Sequence, residues 1–112
     1  MTIRLMGTTT IKIQDTTVDL IQDLCDFIYE KTQIECDWFR HNPPTAERGT
    51  FSIVCTQLTT AKYYPSNHEE PDDIDYEFKY NERAYRKLIT EFEEKNSVEL
   101  DALVSDLEVE EV

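Results

Sequence analysis

Four acidic side chains pose the first chemical question. Asp19, Asp23, Asp26 and Glu30 are spaced by four, three and four residues. At about 100° per residue they fall within roughly 60° of one another on a helical wheel, so a helix through them carries one anionic stripe. Consecutive members stand about 4.5–6 Å apart along such a helix axis. That distance is comparable with the gap between neighbouring phosphates on one nucleic-acid strand. No Lys or Arg interrupts the stripe before Lys31. Like charges at these spacings cost about 0.2–0.5 kcal/mol per pair, roughly 1 kcal/mol for the three pairs. The ordinary reading is a solvated face opposite an apolar one. The functional reading is a surface that imitates a phosphate backbone.

A second cluster is denser. Glu69, Glu70, Asp72, Asp73, Asp75 and Glu77 place six acids within nine residues, and Lys79 is the nearest base. A calcium loop of EF-hand type needs a Gly at its sharp turn and a bidentate Glu at a fixed later position. Pro71 and the absence of Gly argue against it. An exposed acidic loop running into an edge strand, which discourages edge-to-edge pairing, or a docking surface fits better.

Acid also falls where a helix does not want it. Glu91, Glu93 and Glu94 lie late in a helical stretch whose early turns hold Arg83, Arg86 and Lys87. The helix macrodipole favours the reverse order, by about 0.3–1 kcal/mol per charge. Glu108, Glu110 and Glu111 repeat the arrangement further on. The basic trio is expected to pair with the acidic loop; a small anion-binding patch is the alternative.

Nucleophilic and metal chemistry are poorly served. The soft donors are Cys25, Cys36, Cys55, His41 and His68, with no two in a tight pair. Zinc needs about four such ligands together, and a Cys–His dyad needs an alignment that spacing does not supply. Cys25 and Cys55 fall at core positions, where free Cys behaves as a small hydrophobe. A phosphate-binding Gly-rich loop, a nucleophile elbow and an H-E-x-x-H pair are all missing. The expectation is a non-enzyme with no cofactor and no bound metal. Tyr63 and Tyr64, just before Pro65, are candidate exposed anchors for a protein partner.

The elements that must position these residues follow from periodicity. Residues 2–14 alternate as β structure, with Gly7 marking a hairpin or bend between two runs. Asp15, Thr16 and Thr17 offer N-caps for a helix from Val18 to about Lys31, whose inner face holds Val18, Ile21, Leu24, Cys25 and Ile28. Residues 34–39 read as strand and 40–49 as loop, broken by Pro43-Pro44. Residues 50–58 read as a central strand that 59–64 continue or neighbour. A loop at 65–73 leads to a half-buried strand over 74–80. Asn81 caps a helix from 82 to about 95, and Ser97 caps a short last helix carrying Leu100, Leu103, Val104 and Leu107. The end, 108–112, is expected to fray. The expected class is α+β: a small, mainly antiparallel sheet, one helix after the N-terminal strands, and two C-terminal helices.

The whole-chain arithmetic agrees with the local features. The 112 residues carry 24 acids against 11 bases, a net charge of −13. Residues 67–112 account for −11 of it, yet each part alone is too small to bury a good core, so one domain over 1–112 is expected. Autonomous nucleic-acid binding is excluded by the lack of clustered positive charge. No apolar run reaches the roughly 18 residues of a membrane span. The N-terminal residues hold no apolar signal core, so a cytoplasmic protein with reduced thiols is expected.

In size, charge and acid spacing the chain resembles the small acidic DNA-mimic inhibitors that phages use against restriction enzymes, CRISPR effectors and uracil-DNA glycosylases. That resemblance implies a basic nucleic-acid-binding partner, such as a nuclease, a CRISPR effector or a repair enzyme, and host-cytoplasmic action. The rival readings are an acidic adaptor or chaperone-like interaction module and a small divalent-metal-binding domain. Half-buried strands and an apolar last helix could also pair two copies as a homodimer.

Overall fold

Thr2–Thr16 form a single unbroken strand, β1, whose odd positions Leu5, Gly7, Thr9, Ile11 and Ile13 are buried on one face. The computed structural model describes residues 2–41, 47–63, 74–75 and 78–112. The alternation holds from Thr2 to Gln14 and breaks at Asp15, and pairing with β3 on one side and β5 and β6 on the other makes β1 an inner strand of an antiparallel sheet. Of the hairpin or bend expected at Gly7, the hairpin does not form. Gly7 is instead a mid-strand position without positive φ, and a Cβ there would lie 2.9 Å from the Phe78 ring and 3.0 Å from Leu107 Cδ1. Its lack of a side chain makes room for these two residues.

The chain then places α1 (Val18–Thr32), β2 (Cys36–Arg40), β3 (Gly49–Tyr63), β4 (Ile74–Asp75), α2 (Glu82–Asn96), β5 (Asp101–Val104) and β6 (Glu108–Glu111). Among the described residues the sheet has six strands in the order β2-β3-β1-β5, with β4 also on β3 and β6 also on β1. All pairings are antiparallel. The long ladder runs from Thr2 opposite Lys62 to Ile13 opposite Phe51, with a bulge before Thr16 meets Gly49. At that bulge Asp15 takes φ 51°, and Arg48 Nε pairs with its carboxylate at 2.8 Å. Of the two alternatives for 59–64, the 50–58 strand continues through Tyr63.

Both helices lie on the same face of the sheet. Ile21, Leu24, Phe27 and Ile28 of α1, and Tyr85, Ile89 and Phe92 of α2, close over Ile11, Ile13, Phe51, Ile53 and Cys55. Phe27 and Phe92 meet edge to face at 5.7 Å, and Trp38 meets Phe51 in the same way. Such pairs add about 0.5–1.5 kcal/mol beyond the area they bury. The class is therefore α+β with an antiparallel sheet, as expected.

Two expected elements are replaced. The second C-terminal helix is absent: Ser97 is the left-handed C-cap of α2, φ 53°, not an N-cap. Residues 101–104 and 108–111 are β5 and β6, and the end of the chain is paired, not frayed. Leu100, Leu103, Val104 and Leu107 fit a helical spacing, but Ala102 and Val104 also alternate, and Leu103 is left 66% exposed. Tertiary demand decides between them, because β1 would otherwise keep an open hydrogen-bonding edge over a buried face. Of the strand expected over 74–80, Ile74 and Asp75 form β4, Tyr76 and Glu77 lie outside the described residues, and residues 78–80 are not strand. The buried Gln57 amide takes over both backbone groups of Tyr80: Nε2 donates to its carbonyl at 2.7 Å, and Oε1 accepts from its N–H at 3.0 Å.

These contacts make Gly7 a test of the packing. Gly7→Val is expected to lower stability by about 1–3 kcal/mol through overpacking against Phe78 and Leu107, read as a lower urea midpoint with an unchanged slope.

Candidate functional site

The helix that carries the first acidic stripe is fixed at both ends. Thr17 is its N-cap, with extended backbone and an Oγ1 that accepts from the Leu20 N–H. Gln33 closes it in the left-handed region at φ 62°, donating its backbone N–H to the Tyr29 carbonyl at 2.7 Å. The Thr32 hydroxyl donates to Ile28 O and accepts from the Ile34 N–H, which sets the turn into β2. With Ile21, Leu24, Phe27 and Ile28 buried, the opposite face must meet solvent. Asp19, Asp23, Asp26 and Glu30 are all exposed there.

No ion pair among the described residues neutralises the stripe. Among the described residues the ion pairs are Asp15–Arg48 and Glu82–Arg86, and neither draws on these four acids. Lys31, the base nearest in sequence, holds its ammonium over the Phe27 ring at 5.5 Å. Lys95 reaches the same ring at 5.7 Å. Both cations therefore lie against the ring of a buried residue on the helix's inner face.

Two further acids join the stripe. Glu35 and Asp37, both exposed, line a cleft of about 300 Å³ together with Asp26, Tyr29, Cys25 and Cys36. The anionic surface thus crosses from α1 onto β2 at the sheet edge. The sequence reading missed these two residues. Their signal is the alternation of Glu35 and Asp37 with Cys36 and Trp38, which puts both acids on one side of a strand.

The second predicted cluster is not brought to the first by any described contact. Asp75 stands in β4 opposite Lys62. Glu69, Glu70, Asp72, Asp73 and Glu77 lie outside the described residues, as do Tyr64 and His68. The basic trio is partly accounted for elsewhere: Arg86 pairs with Glu82 one turn back, at 2.6 Å. Glu93 has an internal task, since its carboxylate accepts the Leu100 N–H at 2.8 Å and turns the chain out of α2. Glu108, Glu110 and Glu111 are exposed along β6, an edge strand, where charge discourages further strand addition.

The soft donors divide. His41 Nε2 shares a 2.7 Å hydrogen bond with Ser52 Oγ, and its ring rests on Phe39 at 5.0 Å. The three cysteines instead gather under the cleft. Cys36 and Cys55 are register partners on β2 and β3, with their sulfurs 3.3 Å apart. Cys25, from α1, lines the cleft beside Cys36. The hydrogen bond with Cys36 raises the Cys25 thiol far above its ordinary value, and burial and the charges of Asp26 and Asp37 add to this. At Cys36 the Cys25 contact favours the thiolate. The Cys55 hydrogen bond, burial and the Asp37 charge outweigh it and push the thiol up to about 12. Among the described residues no group of three or more His, Cys, Asp or Glu side chains is arranged to hold a metal ion.

Comparison with protein-family models, with curated proteins and with solved structures finds no match to this chain. No helix among the described residues is long and apolar enough to cross a membrane.

The raised thiols have a consequence for stability. A thiol that ionises near pH 8.5 when unfolded and near 12 when folded binds its proton more tightly in the native state. Stability is then fully present below about pH 8.5 and falls as pH rises towards 12. Urea midpoints are expected to be flat from about pH 7 to 8 and to drop above about pH 9. Cys36→Ser is expected to flatten part of that drop.

Proposed function

We propose that this protein is a non-enzymatic, acidic inhibitor that acts as a DNA mimic. In this reading it occupies the basic nucleic-acid channel of a target protein, as an anti-restriction, anti-CRISPR or DNA-repair inhibitor does. The observation that carries the proposal is the α1 stripe. Asp19, Asp23, Asp26 and Glu30 share one exposed face, free of ion pairs to the described bases, and Glu35 and Asp37 extend it across the sheet edge. A rigid row of unpaired carboxylates gains from a cationic groove what it loses by self-repulsion in the free state. The net charge of −13 also exceeds the roughly 2–8 units that keep a small domain in solution.

A second reading, a protein-interaction module, draws on the open face of the sheet. Phe39, Leu58 and Leu103 are exposed at 51%, 59% and 66%, where a docked partner would cover them. Salt separates the two readings. Mimicry of a phosphate backbone is screened within a Debye length of about 10 Å at 0.1 M salt, whereas apolar docking is not.

The test is recovery of the partner from a lysate at graded salt, followed by calorimetry on the isolated pair. Duplex DNA is expected to displace the protein from its partner. Asp19→Lys combined with Asp23→Lys is expected to leave the thermal transition in place and weaken binding at least about tenfold. Unchanged affinity at low salt would remove α1 from the contact surface. Affinity indifferent to salt and lost with Leu58→Ser would favour the open sheet face.

A further inference from the structure

We propose that Cys36 and Cys55 form a reversible disulfide on exposure to hydrogen peroxide, making the junction of β2 and β3 a redox modification site. The proposal is independent of the docking reading.

The geometry is already close to product. The two residues face each other directly in the antiparallel register, and their sulfurs stand 3.3 Å apart. Closing to the roughly 2.05 Å of a disulfide asks only for side-chain rotation between adjacent strands. The two thiols are also unequal. Cys36 is half-buried and lines the cleft, so an oxidant reaches it first, and Cys55 is fully buried behind it. That ordering assigns the roles. The Cys36 thiolate attacks a peroxide oxygen and the O–O bond breaks. Cys36 becomes a sulfenic acid, and the leaving hydroxide takes up a proton to become water. Cys55 sulfur then attacks the Cys36 sulfur and displaces hydroxide, which combines with the Cys55 proton as a second water. Two thiols and one peroxide give one disulfide and two waters.

The surroundings suit this sequence. The Tyr85 side chain is fully buried and its hydroxyl lies against Cys55, with no other hydrogen-bond partner among the described residues. It is placed to donate to the negative charge that develops on Cys55 in the second step. Asp26, Glu35 and Asp37 at the cleft exclude anionic oxidants such as glutathione disulfide and admit a small neutral one. The elevated Cys36 thiol makes the first step slow near neutrality and faster with rising pH.

The three cysteines fall on separate tryptic peptides, 13–31, 32–40 and 49–62, so the linkage can be read directly. Reduced protein treated with hydrogen peroxide is expected to lose about 2 Da. A non-reducing digest should join 32–40 to 49–62 and leave 13–31 free, with full reversal by dithiothreitol. The thermal midpoint of the oxidised form is expected to rise by about 5–10 °C. Cys25→Ser should keep the cross-link, and Cys55→Ala should stop at a Cys36 sulfenic acid that dimedone traps. Tyr85→Phe should increase dimedone trapping without lowering the thermal midpoint of the reduced form. Faster oxidation by glutathione disulfide than by peroxide at equal concentration would refute the charge-selection argument. A Cys25–Cys36 bridge, a bridge between chains, or overoxidation of Cys36 with no cross-link would overturn the proposal.

Discussion

The structure depends on satisfying both edges of β1. Its inner face carries Ile11 and Ile13 at zero exposure, so the strand cannot leave the core to find water for its backbone. On one side β3 supplies a nearly continuous ladder. On the other side β5 and β6 divide the task, β5 along Ile11–Gln14 and β6 along Leu5–Thr8. With the sheet complete, only one of its faces is apolar enough to receive α1 and α2. The orientation of α1 about its own axis then follows from Ile21, Leu24, Phe27 and Ile28. The exposure of its acids is a consequence of what lies beneath them.

Local physics made much of this legible. Thr17 and Asn81 are caps whose roles can be read from residue type and from the apolar periods that follow them. The face of α1 that carries the stripe follows from period alone. Facts of register and of competing partners were not legible. Leu100, Leu103, Val104 and Leu107 satisfy a helical period and, through Ala102 and Val104, a strand period as well. Only the vacant edge of β1 separates them. Gly7 reads as a hairpin or a bend in the strand, yet here it clears space for Phe78 and Leu107. The alternation over 74–80 reads as one strand, but the Gln57 side chain intercepts Tyr80 first. Cys25, Cys36 and Cys55 meet because β2 and β3 pair in one register with α1 above them. Neither their spacing nor their odd number reports this.

The distribution of acid is clearer once internal tasks are set aside. Glu93 turns the chain out of α2, Glu82 holds Arg86, Asp15 holds Arg48 at the bulge, and the β6 acids protect an edge. Each offsets a local cost of like charge with a local gain. Asp19, Asp23, Asp26, Glu30, Glu35 and Asp37 have no such internal partner among the described residues. Their mutual repulsion is offset by no ion pair among the described residues.

The pairing of β5 and β6 with β1 also bears on how the molecule is made. On the ribosome, β1 is made well before β5 and β6, the segments that complete its second edge. Until β5 and β6 are made, a long, threonine-rich strand therefore holds an unfinished border, the kind of surface that recruits stray strands from neighbouring nascent chains. The acids that crowd the later part of the sequence are translated late, so they cannot shield that border by repulsion until it is about to close. Rapid, high-level expression should therefore tax this fold more than its modest size suggests.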